Sequence, residues 1–331
     1  MKALLSKTPG PPESLVLEDV PTPAPGEGQI LIEVKAASVN FPDALMIQDL
    51  YQFKPPRPFA SGSEVAGIVK AVGAGVTRFK QGARVLAVPG NGGFAEAIAI
   101  PEGGNVFEIP DAMSFEDAAS LLLTYGTSQH ALKDRAHLKA GETSLVLGAA
   151  GGVGIAAIEL GKAMGAKVIA GVSSPEKAAF AEAAGADKSV IYPRELDKEK
   201  QKALSEAFKE AGGGGIDVVY DAVGGDYAEP ALRALNWEGR FLVVGFPAGI
   251  PRIPLNLTLL KGCDIVGVFW GAFTQREPKA HAANVAELFA LYEAGKIRPR
   301  ISARYPLARG AEAIRELMDR KASGKIVIVM D

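Results

Sequence analysis

The most constraining stretch of this chain runs from Ser144 to Asp187. A short apolar run, Leu145 to Leu147, meets a glycine cluster at Gly148, Gly151, Gly152 and Gly154. An apolar-periodic segment (Ile155, Ile158, Leu160, Met164) follows, and then a second apolar run from Val168 to Val172. Strand, tight turn, helix and strand in that order make a βαβ unit with its glycines at the first strand-to-helix turn. Glycines there let the backbone approach a pyrophosphate, and the helix start offers free N–H groups and a positive dipole end. The fingerprint reads Ala149-x-Gly151-x-x-Gly154, with alanine in place of its first glycine. A turn shaped only by packing is the competing reading. The complete strand–helix–strand context favours a dinucleotide.

The end of the second strand carries the choice of dinucleotide. A protein built for NAD places an acid there, about 20 residues along, for the ribose hydroxyls. This chain has Ser173-Ser174-Pro175-Glu176-Lys177. Small hydroxyls followed by a lysine suit a 2′-phosphate that a carboxylate would repel. Glu176 follows a proline and is expected on a helix start pointing to solvent. Alone, Lys177 would read as a solvated helix lysine; with Ser173 it points to NADPH. Tyr192 and Arg194, past the third strand, are placed to join that pocket.

At 331 residues the chain can hold two domains, each with its own core. Residues 1–123 read as short strands with glycine turns, of which 29–37 alternates most cleanly, and predict a small β-rich barrel. Residues 40–50 predict a helix, and Ser114-x-x-Asp117 a helix start. From 124 to 268 strands and helices alternate, which predicts a doubly wound Rossmann domain with a six-stranded parallel sheet. Residues 269–331 end in a strand, 326–330, and are expected to return to the first domain. The fold class is therefore α/β.

A formal net charge of -2 argues against nucleic-acid or membrane-surface binding. The N-terminus is too poor in apolar residues for a signal peptide, and no stretch reads as a membrane span, so a cytoplasmic protein is expected. The single cysteine, Cys263, excludes an internal disulfide, and with only His130, His137 and His281 no catalytic zinc set is expected.

The whole chain resembles the medium-chain dehydrogenase/reductase superfamily, and within it the zinc-independent, ζ-crystallin-like NADPH:quinone oxidoreductases. The resemblance is carried by Val39-Asn40-Phe41-Pro42-Asp43, Gly62-Ser63-Glu64, Thr124-Tyr125-Gly126-Thr127, the glycine cluster, Asp217 to Gly225 and Ser323-Gly324-Lys325-Ile326. It implies that the barrel is GroES-like. Zinc members carry a cysteine near position 40 and His-Glu at 63–64, where this chain has Asn40 and Ser63-Glu64. The implied substrates are quinones or α,β-unsaturated carbonyls, which spread the charge left by hydride addition.

Related 2-enoyl-thioester reductases carry a proposed donor tyrosine in a loop like Ile47 to Tyr51, which makes Tyr51 the candidate proton donor here. The resemblance further implies that Asn40 bonds in the nicotinamide-ribose or substrate region, that Asp43 orients its neighbours, and that Thr127 and the backbone of Ala150, Gly151, Gly152 and Val153 contact the cofactor phosphates. Phe246 and Phe269 would lie near nicotinamide, and Lys325 would reach the cleft. Helix capping by Asn40 and Asp43, and loop anchoring by Tyr51, stay open as alternatives. Met46, Phe53 and Trp270 are pocket-wall or core candidates.

The chain departs from the family at 52–56 and 60–63, close to the implied substrate mouth. An enoyl-thioester reductase, with Lys54, Arg57 or Arg252 meeting coenzyme A phosphates, is the alternative function. A non-catalytic NADPH-binding structural protein is a third reading. Analogy also implies a homodimer joined edge to edge near Val266.

Overall fold

The computed structural model describes residues 1–330. The chain divides into two compact units, one of residues 1–123 with 298–331 and one of residues 124–297.

The first unit is β-rich. Its backbone is the long strand Gln29–Val39, whose inward residues Ile30, Ile32 and Val34 are fully buried. That strand pairs antiparallel with Glu64–Val72 along one side. On its other side it takes Ala97–Pro101 at its start and the C-terminal strand Lys325–Val329 at its end. Arg84–Ala87 and Val106–Glu108 extend the sheet, and Ile301–Pro306 runs parallel to the last strand. Register matters most here. Ser38 stands opposite Glu64, and Val39 opposite Ile326, so Asn40 and Lys325 meet just past the paired residues. A one-residue slip would turn all of these side chains to the other face. The helix expected at 40–50 is shorter, Phe41–Met46, and leaves Tyr51 in the following loop.

In the second unit six parallel strands run in the order Lys188–Ile191, Lys167–Val172, Thr143–Leu147, Ile216–Asp221, Leu235–Val243 and Asp264–Gly267. Every residue of Thr143–Leu147 is buried, as a central parallel strand covered on both faces requires. Helix Gly152–Ala163 is buried from Gly154 to Gly161, which explains its lack of a polar face.

The return of the tail to the first unit comes at Arg298 rather than at residue 269. Helices Trp270–Arg276 and Pro278–Glu293 belong to the second unit because they pack on the helical segment around residue 130. The His130 ring stacks on Phe273 at 4.0 Å, Asn284 donates to Asp134 at 2.8 Å, and Lys133 pairs with Glu287 at 2.5 Å.

Candidate active site

The first unit holds a buried polar cluster at the ends of three strands. The Lys325 ammonium donates to Asn40 Oδ1 at 2.6 Å and lies 3.4 Å from Glu64 Oε2. Glu64 also accepts from Ser38 Oγ at 2.7 Å, from Asn40 Nδ2 at 3.4 Å and, through Oε1, from the Leu123 N–H at 2.8 Å. Asn40 Nδ2 further reaches Ser38 Oγ at 3.1 Å. Lys325 is 4% exposed and Glu64 not at all, so each charge depends on the other for compensation. Burial lowers the Lys325 pKa, opposed by the Glu64 carboxylate and by Asp43. The Lys325 ammonium, which was expected to reach a cleft, lies inside this cluster on Asn40 and Glu64.

Asp43 accepts from the backbone N–H of Asn40 at 2.8 Å, so the capping reading of this pair holds, while the Asn40 side chain is held by Lys325. Asp43 is fully buried, and that burial raises its pKa to about 7 against the opposing Asn40 N–H, Ser63 and the charge of Lys325. Its Oδ1 and the Ser63 hydroxyl have no hydrogen bond of good geometry, although Ser63 is near enough to favour the ionised carboxylate. Tyr51 is half-buried against the core, and its pKa is raised by burial and then by the charge of Asp43. It is therefore a neutral phenol at pH 7. Asn40, Asp43 and Lys325 are thus joined by hydrogen bonds, and Tyr51 is coupled to Asp43 electrostatically.

Of the candidate wall residues, Met46 is fully buried core and Trp270 is buried edge-on to His281, while Phe53 is exposed. Arg57 is turned inward: it binds Asp49 at 2.7 Å, Ser6 at 3.2 Å and the carbonyls of Met46 and Ile47.

In the second unit the glycines separate by cause. Gly148 has φ 71, which favours glycine. A Cβ at Gly154 would lie 2.3 Å from the Gly148 carbonyl oxygen, so close helix–strand packing requires that glycine. Gly151 is different. Its backbone is extended, and a Cβ would make only an ordinary contact at 3.4 Å. The protein's own packing does not demand Gly151, whereas close approach of a ligand to the start of helix Gly152–Ala163 would. The first-turn N–H groups there have no intrahelical acceptor. Ala150 is buried beside them, and Thr127 lies on helix Leu122–Gln129.

At the end of strand Lys167–Val172, Ser174 caps the next helix by accepting from the Lys177 N–H at 3.3 Å. Capping folds Lys177 back so that its ammonium sits 3.4 Å from Ser173 Oγ. Glu176 is exposed, and its hydrogen bond from Ser174 lowers its pKa. Tyr192 is buried against Tyr227 at 4.6 Å, and Tyr227 donates to the carbonyl of Arg194. Phe246 and Phe269, just past the fifth and sixth strands in chain order, are 45% and 60% exposed.

Glu64, Ser38 and Asp221 were not singled out from the sequence. Asp221 ends strand Ile216–Asp221 and shapes the following turn by accepting from Val223 at 2.9 Å and Gly224 at 2.8 Å. A charged residue inside an apolar run was the available signal, as in Glu64-Val65-Ala66 and Lys325-Ile326-Val327. No group of three or more His, Cys, Asp or Glu suited to a metal occurs among the described residues, and no helix there is long and apolar enough to cross a membrane.

Two family models match: an alcohol dehydrogenase GroES-like domain over residues 26–111, and a zinc-binding dehydrogenase domain over residues 152–287. The chain is 39% identical over 319 residues to a quinone oxidoreductase-like protein 2 homolog of Nematostella vectensis, covering 95% of this chain and 85% of the relative. It is 35% identical to a quinone oxidoreductase of Pseudomonas aeruginosa, with 97% of each chain covered. The crystal structure of Escherichia coli quinone oxidoreductase complexed with NADPH superposes with a TM-score of 0.90 at 31% identity, covering 99% of this chain and 100% of that one. The GroES-like half, the six-stranded Rossmann half and these relatives agree: the chain belongs to the quinone oxidoreductase family of medium-chain dehydrogenases/reductases.

Proposed function

We propose that this chain is an NADPH-dependent oxidoreductase that reduces quinones or α,β-unsaturated carbonyl compounds without zinc. The Ser173–Lys177 pair carries the reading, since it sets a hydroxyl and a cation together at a strand end where an NAD site would hold an acid. NADPH in the Escherichia coli relative supports it. When bound, NADPH supplies a hydride. The chain's own residues bind, orient and protonate. Gly152 and Val153 offer N–H groups to the pyrophosphate, Gly151 and Ala150 keep the approach open, and Thr127 adds a hydroxyl. Ser173 and Lys177 hold the 2′-phosphate, with Tyr192 behind them. Phe246 and Phe269 supply apolar surface for the nicotinamide.

In the first unit Asn40 is the polar anchor, fixed by Lys325 and Glu64. Tyr51 donates the proton that completes reduction, and the ionisation state of Asp43 modulates it. The Lys325 ammonium already neutralises Glu64 and engages Asn40, two of the positions at which zinc members place ligands. The inward binding of Arg57 removes one of the three cations that an enoyl-thioester reductase would turn to coenzyme A.

The edge strand Asp264–Gly267 pairs on one side only, with Ile265 exposed, which supports a homodimer built along that edge in a cytoplasmic protein. A monomeric mass by light scattering would refute the dimer. The test of function is oxidation of NADPH and of NADH by purified protein with an ortho-quinone, an enone and an enoyl-CoA, alongside Tyr51→Phe. Turnover of quinone or enone with NADPH strongly preferred is expected. Preference for the thioester, or for NADH, would overturn the reading.

A further inference from the structure

A second concave surface lies on the flank of the Rossmann sheet, away from the glycine turn. Helices Lys198–Gly212, Ala228–Arg233 and Asn256–Lys261 enclose a cleft of about 750 Å³, within the size range of small-molecule sites. Five cations line it: Lys198, Lys202, Lys209, Arg233 and Lys261. Two acids face them, and each is already engaged, Glu206 with Lys209 at 2.9 Å and Glu229 with Arg233 at 2.6 Å. Lys198 and Lys202 have no ion pair or hydrogen bond from their ammonium groups among the described residues. Lys261 donates to the Leu235 carbonyl at 2.7 Å, which leaves its charge uncompensated.

We propose that this cleft is an anion site for a small polyanion carrying two or more phosphate groups, separate from the dinucleotide edge. Five cations against two acids line the cleft in a chain whose net charge is -2, so the excess is local. Lys198, Lys202 and Lys209 lie on a single helix, and the two shorter helices add Arg233 and Lys261 to the same cleft. Burial and then the charges of Lys209 and Arg233 lower the Lys261 pKa, as expected of a cation pressed against others. Ser205, at the cleft, is buried with no partner for its hydroxyl. Pro230 and Leu257 provide an apolar wall, which strengthens charge-assisted hydrogen bonds by excluding water. More than one phosphate is needed because Lys198 and Lys209, eleven residues apart on one helix, stand about 16 Å apart along its axis, further than a single phosphate spans.

The probe is inorganic tripolyphosphate, titrated calorimetrically into the 331-residue chain at low salt, with sodium chloride of matched ionic strength as control. One site per chain with micromolar affinity is expected beyond any tripolyphosphate held at the dinucleotide edge, weakened about tenfold or more in Lys202→Ala/Lys261→Ala and retained in Lys177→Ala. Circular dichroism and melting check the fold of the double variant. Lys202→Ala alone, an exposed truncation, keeps the test open, with an expected loss of about two- to threefold. Binding no tighter than that of the salt control, binding indifferent to the lysine variants, or binding lost in Lys177→Ala would each overturn the proposal.

Discussion

Replacing Lys325 by methionine removes one partner of a fully enclosed ion pair while keeping nearly the same side-chain length. Glu64, with no exposure, would keep Ser38, Asn40 and Leu123 as donors but lose the full positive charge bonded to it. Asn40 Oδ1 would lose a 2.6 Å donor. Breaking a buried pair on one side costs about 3–5 kcal/mol, because the remaining charge stays buried. For a unit of this size each kcal/mol shifts Tm by about 2–4 °C, so a drop of roughly 10 °C is expected at pH 7. Glu64→Gln alone should cost a similar amount by stranding the ammonium. The double variant Glu64→Gln/Lys325→Met should cost about 2–3 kcal/mol less than the sum, since it leaves no charge behind and keeps an acceptor for Leu123. The assay is calorimetric melting, with hydrogen exchange assigning the loss to residues 1–123 and 298–331, because a two-unit chain need not melt in one step. A Tm for Lys325→Met within about 2 °C of the parent, or strictly additive variants, would refute the reasoning.

Asp43 makes stability fall as pH rises. Its folded pKa of about 7 lies above its unfolded value near 3.8, so the folded state holds the proton longer. Its contribution is full below pH 4 and lost through pH 7, a span of about 4 kcal/mol at most. Asp43→Asn should flatten that slope in melts taken from pH 4 to 8, and an unchanged slope would count against a buried titrating carboxyl. Ser173→Asp should raise the KM for NADPH about tenfold or more, with NADH affected far less, by placing an acid beside the 2′-phosphate; equal effects on both would remove the 2′-phosphate assignment. Gly154→Ala should abolish soluble folding or dinucleotide binding, since its Cβ would meet backbone 2.3 Å away, whereas Gly151→Ala should fold and melt normally yet bind NADPH weakly by fluorescence titration.

These contrasts show what was legible in the chain before its fold was known. The glycine turn could be read because its chemistry is local: strand, turn and helix are contiguous, and Gly148 and Gly154 answer constraints within ten residues. Ser173 and Lys177 could be read for the same reason, since a cap at Ser174 brings positions four apart together. The buried cluster could not. Asn40, Glu64 and Lys325 meet only through the register of two antiparallel pairings, one closing across 285 residues. The local mark at Lys325 is a charge at the head of an apolar run, and it names no partner; Ser323-Gly324 before it reads as an ordinary turn into a strand. The extent of the second unit was missed on similar grounds. Helix Pro278–Glu293 is held by Gln129, Lys133 and Asp134, which lie some 150 residues earlier, and no local pattern reports such partners.

The same register explains why an asparagine can serve at position 40. A free asparagine amide rotates, and its carbonyl and amino ends are easily exchanged. Here Oδ1 is fixed by an ammonium, which can only donate, and Nδ2 by Ser38 and Glu64, where a carboxylate can only accept. The two neighbours therefore impose one orientation, and they do so at the end of paired strands rather than on a loop. If this polarity matters for function, Asn40→Asp should be worse than Asn40→Ala. The aspartate would gain the Lys325 ammonium but set a second carboxylate against Glu64, whereas alanine only removes the anchor. Asn40→Asp should therefore lower kcat more than Asn40→Ala at pH 8 and recover part of the difference at pH 6, where a shared proton relieves the repulsion. Equal rates for the two variants across that range would show that the cluster supports the strand ends and nothing more.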